Sequence, residues 1–82
     1  MKVYYSKISL KQLKKLSKAK QIEVLKKIEK LKNYPDAGKK LKGALKNFRS
    51  LKAWPYRIIY QYFENNKTIF INIIQHRQSV NK

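Results

Sequence analysis

An arginine and a histidine in the C-terminal half of this chain are suited to chemistry on a phosphate. Arg57 stands in the stretch Tyr56-Arg57-Ile58-Ile59-Tyr60, and His76, the single histidine, follows the run Thr68 to Gln75. An arginine presents a planar fork of donors that matches a phosphate and the extra charge that develops as a nucleophile attacks phosphorus. A histidine exchanges a proton near neutral pH. RNA carries its own nucleophile, the 2′-hydroxyl, so its cleavage asks of a protein only charge stabilisation and proton transfer, with no metal or other cofactor. Near these two, Lys39, Lys40, Lys42, Lys46, Arg49 and Lys52 supply cations that could hold a nucleic-acid backbone. Trp54, beside Pro55 at a bend, is a candidate for stacking on an unpaired base, with a core anchor as the competing role. Four scattered carboxylates (Glu23, Glu29, Asp36, Glu64) and one histidine make no metal-ligand set, and there is no Ser-His-Asp signature or phosphate-cradling glycine motif.

The composition points the same way. The chain has 82 residues, enough for one domain spanning 1–82 with a modest core. Cysteine is absent, so neither a disulfide framework nor a thiolate metal site is available, and a reducing compartment is expected. The N-terminus has no secretory pattern and the longest apolar runs fall far short of a membrane span, so a soluble, cytoplasmic protein with no membrane partner is expected. Twenty-one Lys and Arg against four carboxylates give a formal charge of +17. Self-repulsion on that scale costs stability, and a polyanionic partner would relieve it; solvated lysine-rich helices are the plainer alternative.

The elements that must position Arg57 and His76 read as an α+β fold: an N-terminal strand and an antiparallel helical hairpin packed on a small, mainly antiparallel sheet. Val3 to Tyr5 is strand-like. Ser9 and Gln12 have the spacing of a capping box, with Ile8 placed to staple onto Leu13. The first helix then runs to about Leu16, with Leu10, Leu13 and Leu16 inward. The second carries Ile22, Val24, Leu25, Ile28 and Leu31 as its apolar stripe and ends before Pro35. Asp36 to Lys46 is a basic loop framed by Gly38 and Gly43. Phe48 to Ala53, Tyr56 to Phe63 and Thr68 to Gln75 are strands, the last two joined by a tight turn at Asn65-Asn66.

That turn sets Phe63 beside Thr68 and fixes a register. Tyr56, Ile58, Tyr60 and Tyr62 then oppose Gln75, Ile73, Ile71 and Ile69 on the core face. Arg57, Ile59, Gln61 and Phe63 oppose Ile74, Asn72, Phe70 and Thr68 on the other. Extended by one step, the register puts His76 on the Arg57 face, diagonal to the arginine at roughly 7 to 8 Å, so that the two could bracket one phosphate.

Leu41-Lys42-Gly43, Tyr56-Arg57-Ile58-Ile59-Tyr60, and His76-Arg77 followed by Val80, in this order behind a strand and a helical hairpin, resemble the RelE/ParE superfamily of toxins from toxin–antitoxin pairs. The resemblance spans nearly the whole chain. It implies a small α+β toxin neutralised by a cognate antitoxin. RelE-like members cut messenger RNA on the ribosome without metal; ParE-like members poison DNA gyrase. In the RelE-like branch the arginine of the Tyr-Arg strand and the arginine after the last strand are catalytic, which carries over to Arg57 and Arg77; for Arg77 to reach the site, the last strand must end by about Gln75. Basic residues on the preceding strand carry over to Arg49 and Lys52. A tyrosine common near the C-terminus is replaced, with Asn81 close to its place, and His76 would take over proton transfer. The implied function is a ribosome-dependent messenger RNA endonuclease that inhibits translation, with a gyrase inhibitor or a non-catalytic RNA-binding module as alternatives.

Overall fold

Alternating apolar residues and short polar connections give five strands and two helices in the computed structural model, which describes residues 1–77. Val80 and Asn81, which entered the resemblance, lie outside the described residues. The elements are β1 (Lys2–Tyr5), α1 (Lys7–Lys15), α2 (Lys18–Leu31), β2 (Lys39–Lys40), β3 (Arg49–Ala53), β4 (Tyr56–Phe63) and β5 (Thr68–His76), with a 3-10 turn at Gly43–Leu45. The sheet order is β1-β5-β4-β3-β2, antiparallel throughout except that β1 runs parallel to β5. The expected α+β architecture is what the chain adopts.

The helices cover one face of the sheet. Val24, Ile28 and Leu31 of α2 meet Ala53, Ile58, Tyr60, Ile69, Ile71 and Ile74, with Leu13, Leu16, Val3, Tyr5, Leu51, Tyr56 and Tyr62 packed around them. This stripe is narrower than the apolar pattern suggests. Ile22 and Leu25 of α2 are exposed, because a residue advances 100° around a helix and only Val24, Ile28 and Leu31, in successive steps of four and three, point straight at the sheet; Leu10 of α1 is exposed as well. Among the described residues no helix is long and apolar enough to cross a membrane.

The first helix begins three residues earlier than the capping box at Ser9 suggests. Ser6 is the cap: its Oγ accepts from the Ser9 backbone N–H at 3.0 Å and donates to the Asn72 carbonyl at 2.7 Å, while the Ser6 N–H donates to the Ile71 carbonyl at 3.0 Å. Ser9 is fully buried inside the first turn and donates back to the Ser6 carbonyl. Ser6 prevails over Ser9 because it ends β1 and caps α1 in one step. The apparent partner in the box, Gln12, faces the sheet instead, where its Oε1 accepts from the Ile74 N–H at 2.7 Å.

These contacts to Asn72 and Ile74 mark a departure from the expected register. Beside the turn the pairing is as read, Phe63 with Thr68 through Tyr60 with Ile71, but Ile59 pairs with Ile73, so Asn72 is an extra residue on β5. A bulge leaves local backbone groups without ladder partners, and here the Ser6 hydroxyl and the Gln12 amide meet them. Beyond it every β5 side chain changes face: Ile74, not Ile73, enters the core, at 3% exposure. The connecting turn also differs, being four residues, Glu64 to Lys67, closed by the Lys67 N–H on the Glu64 carbonyl, with the positive φ (48°) at Lys67 rather than at either asparagine.

Replacing Gln12 by leucine should therefore strand the Ile74 N–H in a part-buried position at a cost of about 1–3 kcal/mol. For a domain of this size that lowers the thermal midpoint by at least about 4 °C, and amide exchange at Ile74 should accelerate more than at Ile69.

Candidate functional site

The face away from the helices carries a transverse row made by three strands. Lys52 of β3 pairs with Arg57 of β4, and Arg57 pairs with Gln75 of β5. Directly paired residues share a face with Cβ atoms roughly 4.5–5.5 Å apart, so Lys52 and Gln75 flank the arginine. The next row is Lys39, Ser50, Ile59 and Ile73.

Two depressions open on either side of Arg57 and both include it in their walls. One, of about 550 Å³, is largely apolar, walled by Ile8, Leu41, Leu45, Phe48, Ile59 and Ile73 with Ser6, Ser50, Asn72 and Gln75 as its polar edges. The other, of about 480 Å³, is walled by Lys39, Lys40, Lys42 and Lys52 together with Leu41 and Ser50. Arg57 thus stands between an apolar cleft and a cationic one. A flat heteroaromatic group with an attached phosphate has that division of character.

What holds the lysines there is a clamp at the end of α2. Pro35 terminates the helical run, and the fully buried Tyr60 donates its hydroxyl to the Pro35 carbonyl at 2.7 Å while accepting from the Gly38 N–H at 2.9 Å. The Arg49 guanidinium donates through Nη1 to the carbonyls of Gly38 at 3.0 Å and Asp36 at 3.3 Å. Lys39 and Lys40 follow at once, paired to Ser50 and Arg49. Burial, foremost, raises the Tyr60 hydroxyl above its ordinary pKa; the Asp36 charge adds to this, against the Gly38 hydrogen bond and the Arg49 charge.

The sequence-predicted residues divide accordingly. Arg57, Lys39, Lys40, Lys42 and Lys52 come together around one cleft. Lys46 sits with Lys40, Arg49, Asn47, Tyr62 and Glu64 around a smaller hollow of about 210 Å³, and the Arg49 head is turned to loop carbonyls. Trp54, 66% exposed, lies on a groove with Glu23, Lys26, Lys27 and Lys30 of α2, so the core-anchor alternative does not hold.

His76 is the main correction. The bulge at Asn72 puts it opposite Tyr56 on the helix side, where its ring meets that of Tyr56 edge to face at 5.3 Å, so it does not bracket a phosphate with Arg57. Arg77 is displaced from its expected role as well: β5 continues through His76, the Arg77 N–H donates to the Pro55 carbonyl at 2.8 Å, and its guanidinium lies 4.6 Å from the centroid of the Trp54 ring. Gln75, Asn72, Ser50 and the apolar wall are site residues that sequence reasoning missed. The available signal was polar Ser6 and Gln12 at the start of a helix facing the sheet, which is where a bulge finds its partners.

A helical hairpin over a five-stranded sheet edged by the N-terminal strand, with an arginine between clefts on the open face, is a small fold of the RelE/ParE kind. The chain belongs to the family described as ParE toxin of type II toxin-antitoxin system, parDE, whose model matches residues 3–80. It is a toxin of a type II toxin–antitoxin system. Among solved structures it is similar to the RelBE2 toxin–antitoxin complex of Mycobacterium tuberculosis (24% identity, 93% of this chain and 96% of the other, TM-score 0.85). It is similar also to the YoeB/ParE toxin of Agrobacterium tumefaciens (18%, 93% and 98%, 0.80) and to the isolated Escherichia coli RelE toxin (20%, 98% and 95%, 0.78). At these identities the likeness is one of fold. No curated protein sequence matches the chain.

Proposed function

We propose that this toxin is a metal-independent endoribonuclease that cuts messenger RNA on the ribosome and so stops translation. The observation that carries the reading is the placement of Arg57 between the apolar cleft and the four-lysine cleft. A nucleobase fits the first, with Ser50, Asn72 and Gln75 at its edges, and the neighbouring phosphates fit the second. The RNA 2′-hydroxyl attacks phosphorus and gives its proton to solvent, the bond to the 5′-oxygen breaks to leave a 2′,3′-cyclic phosphate, and Arg57 balances the charge on the equatorial oxygens between the two events. Since His76 lies on the opposite face, the proton for the leaving 5′-oxygen comes from the Lys52 ammonium, directly paired with Arg57 across β3 and β4. The partners under this reading are the ribosome and its messenger RNA in the cytoplasm, together with a cognate antitoxin; structures similar to this one were solved as toxin–antitoxin complexes.

The family match favours a second reading, a protein-binding inhibitor of DNA gyrase. Induced expression with translation and DNA damage followed side by side separates the two. Endonuclease action gives arrest of protein synthesis first, with cuts confined to ribosome-bound messages. A DNA-damage response that precedes any fall in translation would overturn the endonuclease reading and support the second.

A further inference from the structure

The Arg57 face does not end at the two clefts. Val3 and Tyr5 pack against the core, so Tyr4 between them projects from the other side, and Tyr4 pairs with Phe70, which pairs with Gln61. Ile69 and Ile71 are fully buried, which sends Phe70 outward too, and Phe63, paired with Thr68, adds a third ring one row further on. Tyr4 is 51% exposed and Phe63 45%. On an open sheet face, rings left this accessible in place of polar residues call for an occupant.

We infer that Tyr4, Phe70 and Phe63 form a stacking platform for unpaired bases of a single-stranded RNA that continues from the Arg57 cleft. This rests on the nuclease reading for its direction along the sheet, but the stacking stands on its own observations. At 3.2–3.4 Å per residue, the four residues from Arg57 to Gln61 separate the cleft from the platform by roughly 13 Å, a span that a short stretch of single strand covers. The cleft reaches the platform through the Ile59 and Ile73 row, and the two are joined by a 3.3 Å hydrogen bond from the Asn72 amide at the cleft edge to the Gln61 amide beside Phe70, so polar amides are interleaved with the apolar side chains along the track. Charge agrees. Glu23 and Glu29 are on α2 paired with Lys20 and Lys32, Asp36 follows that helix, and Glu64 is in the hairpin turn beside the Lys40 and Lys46 hollow. Among the described residues, the strand rows of this face hold no carboxylate, while Lys2 stands at one end and Lys39, Lys52 and Arg57 at the other. Flat rings on a strand surface with cations along the same path suit single-stranded nucleic acid whatever its sequence.

The test uses the full chain and 2′-O-methyl oligouridylates, which bind but carry no free 2′-hydroxyl, of three and ten nucleotides, with fluorescence anisotropy as the readout. Tyr4→Ser and Phe63→Ser each remove a largely exposed ring, and their thermal midpoints report whether folding is kept. Each variant should bind the decamer about 5- to 100-fold more weakly and the trimer within about twofold of the parent, with the salt slope unchanged. Lys52→Ala should instead weaken both oligonucleotides and lower the slope by about 0.7. The inference is overturned if folded Tyr4→Ser and Phe63→Ser bind the decamer as the parent does, or if they spare RNA and weaken only the antitoxin complex, which would give the face to a protein partner. Failure of the nuclease reading looks different: platform variants lose RNA affinity while the parent cuts no message.

Discussion

Arg57→Ala should lower messenger RNA cleavage in a purified translation system by about 10²- to 10³-fold, the usual consequence of deleting one preorganised donor to a developing anion, and induced expression of the variant should no longer arrest growth. The loss belongs to chemistry rather than folding. Arg57 is half-buried on the open face, is paired to Lys52 and Gln75 through the backbone ladder, and the ladder survives truncation of the side chain. Removing one of 21 cations from a chain of charge +17 also relieves repulsion, so the thermal midpoint should stay within a few degrees of the parent. Arg57→Lys sharpens the assignment. It keeps the charge but gives up the planar fork, so it should retain phosphate affinity and its salt dependence while recovering only a minor part of the rate. His76→Gln, on the helix side against Tyr56, should change cleavage little. A fully active Arg57→Ala would remove the site.

How far the sequence could be read depended on how local each signal was. The strand β4, the helix α2 with Val24, Ile28 and Leu31, and the Phe63–Thr68 end of the hairpin are set by alternation, by helical spacing and by the turn, and all are found. Arg57 with Lys39, Lys40, Lys42 and Lys52 was visible because strand parity and a short basic segment place them without any long-range knowledge. The pairing of Arg57 with His76 failed for one reason. Parity carries along a strand only until a bulge, and the bulge at Asn72 is stabilised by Ser6 and Gln12, which are 66 and 62 residues away from the groups they satisfy. The same two residues account for the misplaced cap: a local box at Ser9 and Gln12 is outweighed when the hydroxyl and the amide each have a backbone partner in the sheet. The apolar cleft was hidden because it assembles Ile8, Leu41, Leu45, Phe48, Ile59 and Ile73 from separate elements, and no window of sequence contains it.

Gly38→Ala should destabilise the fold although it lies outside the hydrophobic core. Gly38 is needed for space: an added Cβ would lie 2.6 Å from Tyr60 Cε1 and 2.7 Å from its hydroxyl. The ring cannot retreat, since Tyr60 is fully buried among Ile58, Ile69 and Ile71, so the loop must move instead. The Gly38 N–H bond to Tyr60 and the Arg49 bond to the Gly38 carbonyl are then lost together. Overpacking of this kind costs about 1–3 kcal/mol, against a total of about 4–12 kcal/mol for a chain of this length. The thermal midpoint should drop by at least about 4 °C, and because Lys39 and Lys40 follow directly, RNA affinity and its salt slope should fall as well. Tyr60→Phe separates the two contributions: it keeps the ring and strands the Pro35 carbonyl and the Gly38 N–H, costing about 1–3 kcal/mol with little change in the salt slope. It also changes the response to alkali. The native Tyr60 hydroxyl ionises above 10.0, its value in an unfolded chain, so the folded state holds the proton longer. Its contribution is complete below that pH and is lost as pH rises from there through the raised native value. Tyr5, raised by burial and then by Glu29, acts with the same sign. The parent should accordingly lose stability above about pH 10 more steeply than Tyr60→Phe, and equal alkaline slopes in chemical denaturation would show that the Tyr60 hydroxyl does not couple the end of α2 to the sheet.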